Sequence, residues 1–328
     1  MNIGIIFGGK SFEHEISVIT AFQVKKKLEE MYKISMLYVD INGVDWDSTK
    51  SLLNDYKIGK PKLKKLNINR LNLNVIVGFM QCENGEDGYA YNFARINNIK
   101  YFGTKGFGSS ICMDNYKSFN YLSNNGIKMI DTYVYTFNDY LTGKLIENFP
   151  VIVKPIYGGS SLGVVVIKNK DELVEGLIEA FTYTDTLVVQ PFVEQVVEYN
   201  MALTEEDYSV LERINHKSEI FSYQNKYSDS FKLLHQELTN MDKLEEFKTI
   251  GRRVYEILSL NGIVRIDFFL IDDEIYVNEI NTTPGALSIY LFDDFMEVFN
   301  KSLNYVLKEN YVKYKLNYSI LKNSNINK

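Results

Sequence analysis

The first forty residues carry the pattern that most restricts the fold of this chain. Residues 2–7 form a continuous apolar run that ends at Gly8-Gly9, as expected of a strand buried in a parallel sheet. Apolar residues then recur at near-helical spacing over 15–31, and 34–39 has the composition of a second strand. A strand, a helix and a strand in this order predict a β-α-β unit, so the fold class is α/β.

Length and charge limit the classes of protein to which the chain can belong. With 328 residues it is long enough for two or three domains. Its residues are 45% hydrophobic and 14% aromatic, which is too apolar for a disordered chain. There are 36 Lys and Arg against 42 Asp and Glu, with a net charge of −6 and no basic block, so we expect no nucleic-acid partner.

The sequence shows no membrane span and no cysteine framework. Eighteen uncharged apolar residues never run together, and Met1 leads directly into the first strand. Cys82 and Cys112 are too few for a disulfide scaffold and lack metal-site spacing, and three His exclude a His-rich metal centre. We therefore expect a cytoplasmic protein without a membrane partner.

Two pairs of strands predict β-hairpins. The strands 151–155 and 164–167 flank a loop rich in small residues, which is typical of a flap that lies over a ligand. Nearer the carboxyl end, the alternating runs 263–271 and 274–280 are separated by Asp272-Asp273. Each pair is predicted to be antiparallel.

The predicted elements divide the chain into three domains and a tail. We place the domains at residues 1–102, 103–185 and 186–313, with a polar tail at 314–328 that we expect to be frayed. The sequence also predicts a helix over 110–125, a strand at 187–192, a partly looped segment at 194–207 and a helix over 241–260.

The segment Gly4–Ser11 formally matches the P-loop pattern G-x-x-x-x-G-K-[ST]. A P-loop begins where its strand ends, whereas Gly4 lies inside the apolar run. The plainer interpretation is a strand followed by a Gly-Gly turn that lets the backbone approach a ligand. The acidic Glu13 follows at the start of the first helix. A carboxylate there either interacts favourably with the helix dipole or holds an ammonium group.

Lys154 ends an apolar strand five residues before the small-residue segment Gly159–Gly163. A lysine at a strand end is commonly a solvated edge charge. Here the cation lies near a loop whose amide and hydroxyl donors can surround phosphate oxygens, which favours phosphate binding.

The C-terminal hairpin carries the most specific chemistry. Residues two apart in a strand share a face, so Arg265 points with Asp267, and Glu279 points with Asn281. Two carboxylates and an amide beside a guanidinium suit Mg²⁺ that also holds phosphates. The alternative is a cross-strand salt bridge, worth about 0.2–1 kcal/mol if exposed, but the apolar neighbours would make unpaired ions costly. The turn 282–285 then follows and can aim backbone N–H groups at a developing oxyanion.

Taken together, these segments resemble the D-alanine–D-alanine ligase family of the ATP-grasp superfamily. The resemblance covers nearly the whole chain, and eight motifs occur in the family's order: Gly8-Gly9, Glu13–Ser17, Gly85–Gly88, Val153–Pro155, Gly159–Gly163, Lys226-Tyr227, Arg265–Asp267 and Glu279–Gly285. It implies a three-domain ATP-grasp fold, with an N-terminal doubly wound, Rossmann-like domain and nucleotide between two antiparallel sheets.

The resemblance also implies the reaction and its partners. ATP would phosphorylate the carboxylate of one D-amino acid, and the amine of a second would attack the acylphosphate to give a dipeptide. With D-alanine as both substrates, the product serves peptidoglycan precursor synthesis. The implied partners are ATP and D-amino acids, and the family's frequent dimers leave a homodimer as an open alternative.

Catalytic roles follow from the resemblance for five residues. Glu13 would hold the ammonium of the first substrate and be linked by hydrogen bonds to Ser160 and Tyr227. Arg265 and the backbone N–H of Gly285 would stabilise the acylphosphate and the tetrahedral intermediate. Tyrosine at 227 matches the peptide-forming members, so an amide product is expected.

The resemblance further assigns residues to ATP and to two Mg²⁺ ions, for which Mn²⁺ is an alternative. Those assigned to the nucleotide are Lys154, Ser161, Glu198 and Lys226. Those assigned to the metal ions are Asp267, Glu279 and Asn281.

Several positions depart from the family's pattern. Gln81 stands where the family usually has His, and Asn115 where it has a nucleotide-contacting lysine; Lys117 is near but rotated by about 200° along a helix. Tyr290 replaces the serine for the second substrate's carboxylate, and Ala286-Leu287 replaces Met-Thr. We therefore hypothesise a D-amino-acid ligase whose acceptor differs from D-alanine or whose affinity for D-alanine is poor.

Three rival interpretations stay open. ATP-grasp enzymes use one apparatus for many substrates, so the same chemistry could serve another carboxylate and amine. The losses at Gln81, Asn115 and Tyr290 could instead leave an ATP-binding relative without turnover. A P-loop NTPase would depend on Lys10 for its nucleotide, whereas the ligase depends on Lys154.

Overall fold

The computed structural model describes residues 1–82, 85–159, 161–214 and 241–310. Three sheets follow one another along this part of the chain. Ser160 lies outside the described residues, as does the segment 215–240, which contains Lys226 and Tyr227. The tail predicted beyond 313 is also outside them.

The first sheet has six strands in the order β4-β3-β2-β1-β5-β6. Its strands are β1 Asn2–Gly8, β2 Lys33–Val39, β3 Asp45–Asp47, β4 Lys64–Lys65, β5 Val75–Gly78 and β6 Lys100–Phe102. Its helices are α1 His14–Leu28, α2 Leu53–Lys57, α3 Ile68–Leu71 and α4 Tyr89–Ile96. Strand β1 pairs in parallel with both β2 and β5, which confirms the predicted β-α-β unit.

The second and third sheets are four-stranded and antiparallel, in the orders β7-β10-β8-β9 and β12-β11-β13-β14. The strands are β7 Tyr133–Thr136, β8 Val151–Pro155, β9 Val165–Ile167, β10 Thr186–Pro191, β11 Val197–Leu203, β12 Glu212–Ile214, β13 Val264–Ile271 and β14 Glu274–Asn281. Both predicted hairpins, β8–β9 and β13–β14, are confirmed.

The remaining helices pack on these two sheets or connect them. They are α5 Gly106–Met113, α6 Asn115–Asn124, α7 Phe137–Leu141, α8 Leu173–Phe181, α9 Met241–Ile257 and α10 Phe295–Lys308, with 3₁₀ turns at Lys170–Glu172 and Gly285–Leu291. None of the helices within the described ranges is both long and apolar enough to cross a bilayer.

One predicted element is wrong in detail, and one strand was not identified. The helix expected over 110–125 is divided at Asp114, because this side chain caps α6 by accepting hydrogen bonds from the N–H groups of Tyr116 and Lys117. The segment 194–207 is partly loop, as the sequence predicts, but its middle forms β11, an interior strand between β12 and β13 that the sequence pattern did not identify. Its partners lie far away in the sequence, so local composition did not reveal the pairing.

The apolar cores show how the three sheets are connected. One core joins the first sheet to later segments, since it includes Ile5 and Val77 together with Leu287 and Phe299. The core of the second sheet is drawn entirely from residues between Tyr135 and Val189. The second sheet is therefore packed as a body of its own, while the first and third regions share apolar contacts.

The turn after β1 is fixed by buried hydrogen bonds and by glycine. Gly8 has a φ of +91°, and a Cβ atom there would lie 2.2 Å from the carbonyl oxygen of Val39. The Ser17 hydroxyl accepts the Gly8 N–H over 2.7 Å and donates to the Phe79 carbonyl over 2.5 Å. His14 holds the same turn, with Nδ1 at 2.6 Å from the oxygen of Gly9. These contacts set the direction in which α1 begins.

We expect Ser17→Ala to lower the free energy of unfolding by about 2–4 kcal/mol, because it leaves a buried N–H and a buried carbonyl without their partner. Denaturant unfolding of both proteins gives the difference. The matched control is Ser123→Ala on the exposed face of α6, which should change stability by no more than about 0.5 kcal/mol. Equal small effects of the two substitutions would contradict the assignment.

Candidate active site

The second and third sheets face each other across a cavity of about 1860 Å³, and loops of the first sheet close one end. A single small ligand usually occupies ~300–1,000 Å³. The cavity therefore has room for a nucleotide and further small substrates at once. Its wall includes these sequence-predicted residues: Glu13, Lys154, Ser161, Glu198, Arg265, Asp267, Glu279, Asn281 and Gly285.

The β13–β14 hairpin presents the charged face that the sequence predicts. Arg265 lies opposite Asn281, and Asp267 lies opposite Glu279, so all four side chains share one face of the sheet. The Arg265 guanidinium donates to both carboxylate oxygens of Asp267, over 2.7 and 2.9 Å. Asn281 Nδ2 donates to the same carboxylate over 3.1 Å.

Asn200 is a member of this cluster that the sequence analysis missed. It is buried on β11 directly opposite Asp267. With its amide nitrogen turned toward Asp267, it donates to Oδ1 over 3.1 Å. The pairing of β11 with β13 brings it there, and that pairing could not be predicted because β11 was not identified as a strand.

Opposite charges shape the pKa values in the cavity. Burial disfavours the charge of Arg265, but the carboxylate of Asp267 outweighs this effect and raises the pKa of Arg265 well above its ordinary value. Burial lowers the pKa of Lys154, and the charge of Glu279 opposes that shift. Lys154 on the second sheet therefore interacts with Glu279 on the third sheet across the cavity.

The loop between β8 and β9, residues 156–164, forms the predicted flap, and its described part reaches the start of α1. A Cβ atom on Gly159 would lie 2.9 Å from Oε1 of Glu13 and 2.8 Å from Sγ of Cys82, so only glycine fits this close approach. Ser161 in the same loop lines the cavity with a φ of +60°. Glu13 itself is buried. The flap thus covers the carboxylate that was predicted to hold an ammonium group.

Part of the cavity between the two antiparallel sheets is apolar. The side chains that line it come from the two sheets and from the segments before β7 and β11: Ile130, Ile152, Val196 and Phe269. Glu198 lies on β11 at the edge of this apolar region. A flat, apolar ring with a polar sugar attached would match such a slot.

Glu86 is a carboxylate in the wall of the cavity, and the sequence pattern predicted no role for it. It accepts hydrogen bonds from the backbone N–H groups of Thr283, over 2.9 Å, and Cys82, over 3.3 Å. Burial raises the pKa of Glu86 to about 7, and the charges of Glu13 and Glu279 act in the same direction. The motif Gly85–Gly88 is the sequence feature that could have identified Glu86 as a site residue. Its contacts could not be predicted from it, because they depend on the distant 282–285 turn.

Tyr290, Gln81 and Asn115, which depart from the family pattern, occupy different places. Tyr290 lines the cavity, and its hydroxyl lies beside the Arg265 guanidinium; burial raises the pKa of Tyr290 to about 12, while Arg265 lowers it. Gln81 also lines the cavity and donates through Nε2 to the Thr283 carbonyl over 3.3 Å. The side chain of Asn115 donates to the Ile156 carbonyl over 3.1 Å, which ties α6 to the end of β8.

Lys117 does not replace the missing lysine at 115. Its Nζ lies 2.7 Å from Oδ2 of Asp114, and its side chain is 65% exposed. Residue 117 is absent from the wall of the cavity, whereas Asn115 is part of it. The rotation of two positions along a helix accounts for this difference.

We expect Glu86→Gln to raise the melting temperature at pH 8 and to change it little at pH 4.5. The pKa of Glu86 is raised from 4.5 to about 7 in the folded protein, so wild-type stability falls as the pH rises through this window. The amide introduced by the substitution cannot ionise, so the stability of the variant does not fall over this pH range. Thermal unfolding without nucleotide or metal measures the effect, with Glu206→Gln as an exposed control. A stability difference that does not depend on pH would contradict it.

Comparison with known proteins agrees with the site. The family profile described as D-ala D-ala ligase N-terminus matches residues 2–104, and the profile described as D-ala D-ala ligase C-terminus matches residues 117–305. D-alanine–D-alanine ligase of Helicobacter pylori strain P12 is 32% identical over 320 residues, which cover 90% of this chain and 91% of that protein. The ligase of Campylobacter concisus is 32% identical over 338 residues, which cover 95% of each protein.

A solved structure gives the same result for the fold. The crystal structure of D-alanine–D-alanine ligase from Helicobacter pylori superposes with a TM-score of 0.77 at 29% identity, covering 94% of this chain and 98% of that chain. The predicted ATP-grasp fold is confirmed. Two profiles that together span most of the sequence, and relatives of this identity and coverage, lead to one conclusion: the chain belongs to the D-alanine–D-alanine ligase family.

Proposed function

We propose that this protein is an ATP-dependent ligase that joins two D-amino acids, with D-alanine as the first, through an acylphosphate. One observation carries the proposal: Lys154 of the second sheet faces Asp267 and Glu279 of the third sheet across a single cavity, and Glu13 lies at one end of it. A cation and two carboxylates placed in this way can hold a polyphosphate, while a buried carboxylate can hold an ammonium group.

The nucleotide would lie between the two antiparallel sheets. The apolar slot would take the adenine ring, and Glu198 would accept hydrogen bonds from the ribose hydroxyls. Lys154 and the small-residue flap with Ser161 would contact the phosphates. Lys226 would join them, although its position lies outside the described residues.

The oxygen atoms of Asp267, Glu279 and Asn281 fit two Mg²⁺ ions held together with ATP. They lie on one face of β13–β14, and carboxylate and amide oxygens are the ligands that Mg²⁺ prefers. The described residues contain no group of three or more His, Cys, Asp or Glu that would hold a metal, so phosphate oxygens would complete the set. When bound, the ions would neutralise phosphate charge during transfer.

The residues of this chain would then act on charge as it develops. Glu13 would orient the first substrate through its ammonium group, so that the substrate carboxylate oxygen attacks the terminal phosphorus and ADP leaves with the bonding electrons. Arg265 and the Gly285 N–H would stabilise the negative charge on the acylphosphate and on the tetrahedral intermediate. The flap would exclude water, which would otherwise hydrolyse the acylphosphate.

The second step needs a neutral amine on the acceptor amino acid. Its lone pair would attack the acyl carbon, and inorganic phosphate would leave with the electrons of the broken C–O bond and take up the proton that the amine nitrogen loses. The acceptor amine would approach from the side of Gly285 and Tyr290, which line the cavity beside Arg265. We place the reaction in the cytoplasm, where ATP is available and peptidoglycan precursors are assembled.

Tyr290 favours a second candidate, a ligase with an altered acceptor preference. Its phenol lies in the cavity next to Arg265, at the position assigned to the acceptor's carboxylate. A phenol fills space that a serine side chain would leave open, so binding of D-alanine as acceptor would be weak or a different amino acid would replace it.

We expect Lys154→Ala to weaken ATP binding at least tenfold, because Lys154 is half-buried and its charge would face the phosphates. The matched control is Lys10→Ala, which should leave ATP affinity within twofold of wild type. Titration calorimetry with ATP and Mg²⁺ measures both. Loss of binding in Lys10→Ala with normal binding in Lys154→Ala would instead support the P-loop interpretation.

We expect Tyr290→Ser to lower the KM for the second D-alanine severalfold, because it removes the phenol from the acceptor region. Tyr290→Phe keeps the bulk and removes only the hydroxyl beside Arg265, so its KM should stay near that of wild type. ADP release is measured with D-alanine alone and then with D-alanine plus a panel of D- and L-amino acids. Normal turnover of the wild type on D-alanine alone would reject an altered acceptor site, and no ADP release with any amino acid would favour a relative without turnover.

A further inference from the structure

The peptide groups of Thr283 are held from two sides. The Thr283 N–H donates to Oε1 of Glu86 over 2.9 Å, and the Thr283 carbonyl accepts from Nε2 of Gln81 over 3.3 Å. The Thr282 hydroxyl also reaches Oε1 of Glu86, over 3.4 Å. We call Gln81, Thr283 and Glu86 the Thr283 clamp.

The orientation of Gln81 is set by Thr283. Gln81 is only 6% exposed, and its other amide atom, Oε1, is buried without a hydrogen-bond partner among the described residues. Turning the amide over would place Oε1 against the Thr283 carbonyl, so that two acceptors would face each other. The side chain therefore keeps its N–H donor on Thr283 although its own oxygen stays unsatisfied, a cost that burial makes considerable.

The clamp matters because the backbone beyond it is in an unfavourable conformation. Gly285 lies two residues after Thr283, and its surroundings leave room for a ligand, since a Cβ atom there would have no neighbour within 4 Å. Ala286, Leu287 and Ser288 follow with φ of 47°, 52° and 51°, a left-handed conformation that L-residues rarely adopt. Such a turn persists only when contacts on both sides hold it.

One of these contacts is apolar and the other is the clamp. Leu287 is 3% exposed and belongs to the core shared with the first sheet, which holds the turn on its C-terminal side. The hydrogen bonds of Gln81 and Glu86 hold it on the N-terminal side. The Gly285 N–H lies between these two supports, so its direction depends on both.

We propose that Gln81 and Glu86 are positioning residues that fix the Gly285 N–H through the Thr283 peptide groups. The proposal rests on the proposed function, in which that N–H stabilises the oxyanion. The presence of Gln81 in place of the family's usual His therefore does not mean that the function of this position is lost. The Gln81 amide supplies a hydrogen-bond donor that stays in one protonation state across the physiological pH range. Neither residue needs to contact the substrate to act in this way.

The central test is Gln81→Met, which keeps the length of the side chain and removes both the donor and the unsatisfied oxygen. We expect kcat to fall at least tenfold, the KM for ATP to stay within twofold, and the melting temperature to change little, because removal of the unsatisfied Gln81 oxygen offsets the loss of the hydrogen bond to Thr283. A merely structural residue would show the reverse, with lower stability and unchanged kcat. Asn304→Leu, at an exposed position on α10 outside the cavity wall, likewise replaces an amide by an apolar side chain and is the control that should change neither.

Further variants of Gln81 and a double variant with Glu86 test the same proposal. Gln81→His restores an N–H donor and should recover part of the lost kcat, whereas Gln81→Leu should not. Glu86→Met removes the acceptor for the Thr283 N–H and should lower kcat as well. If both residues act on one pair of peptide groups, the double variant Gln81→Met with Glu86→Met loses less than the product of the two single losses. Purely multiplicative losses would overturn a shared role.

A ligand-free measurement separates this inference from the proposed function. Hydrogen–deuterium exchange of the peptide covering residues 280–290 should show a protected amide in the wild type and faster exchange in Gln81→Met. Protection that the substitution does not alter would overturn the clamp even if the enzyme is active. Loss of protection in a protein that ligates no amino acid would support the clamp and contradict the proposed function. The wild-type measurement alone decides the matter if the variants do not fold, because an unprotected 280–290 segment would reject the clamp.

Discussion

Burial of like and unlike charges on one face of a hairpin is the constraint on which the rest of the site depends. The Arg265 guanidinium binds both oxygens of Asp267, and amide groups from Asn281 and Asn200 contact the same carboxylate. In a partly desolvated cavity such a set is stable only when each charge has a partner. The cluster is therefore rigid, and it offers fixed charges to a ligand with little reorganisation.

The opposite wall of the cavity adds the cation that balances this acidic face. Lys154 lies on β8, and the flap that follows it passes so close to Glu13 that Gly159 cannot carry a side chain. A single connection thus supplies both a phosphate-binding charge and a cover for the amino-acid site. The ability to bind phosphate and cover the amino-acid site therefore depends on where this connection places Lys154 and the flap, more than on the identity of any one residue.

Much of this could be predicted because it follows from local periodicity. Alternation over 263–271 and 274–280 placed Arg265, Asp267, Glu279 and Asn281 on one face, and the register confirms it. The features that were missed or predicted wrongly depend on distant partners or on one capping side chain. The strand β11 was not identified because its pairing with β13 is distant in the sequence, and the predicted helix over 110–125 is divided because Asp114 ends one helix and starts another. Glu86 was missed for the same reason, since its contacts with the 282–285 turn span nearly 200 positions in the sequence.

The separate core of the second sheet has a consequence for how the protein unfolds. Its apolar residues all lie between Tyr135 and Val189, whereas the first and third regions share a core. Few apolar contacts then couple this sheet to the remainder, so the empty protein should lose its structure in more than one calorimetric transition. A nucleotide that bridges Lys154 and the acidic hairpin would supply the missing coupling, and the separate transitions would merge into a single cooperative one.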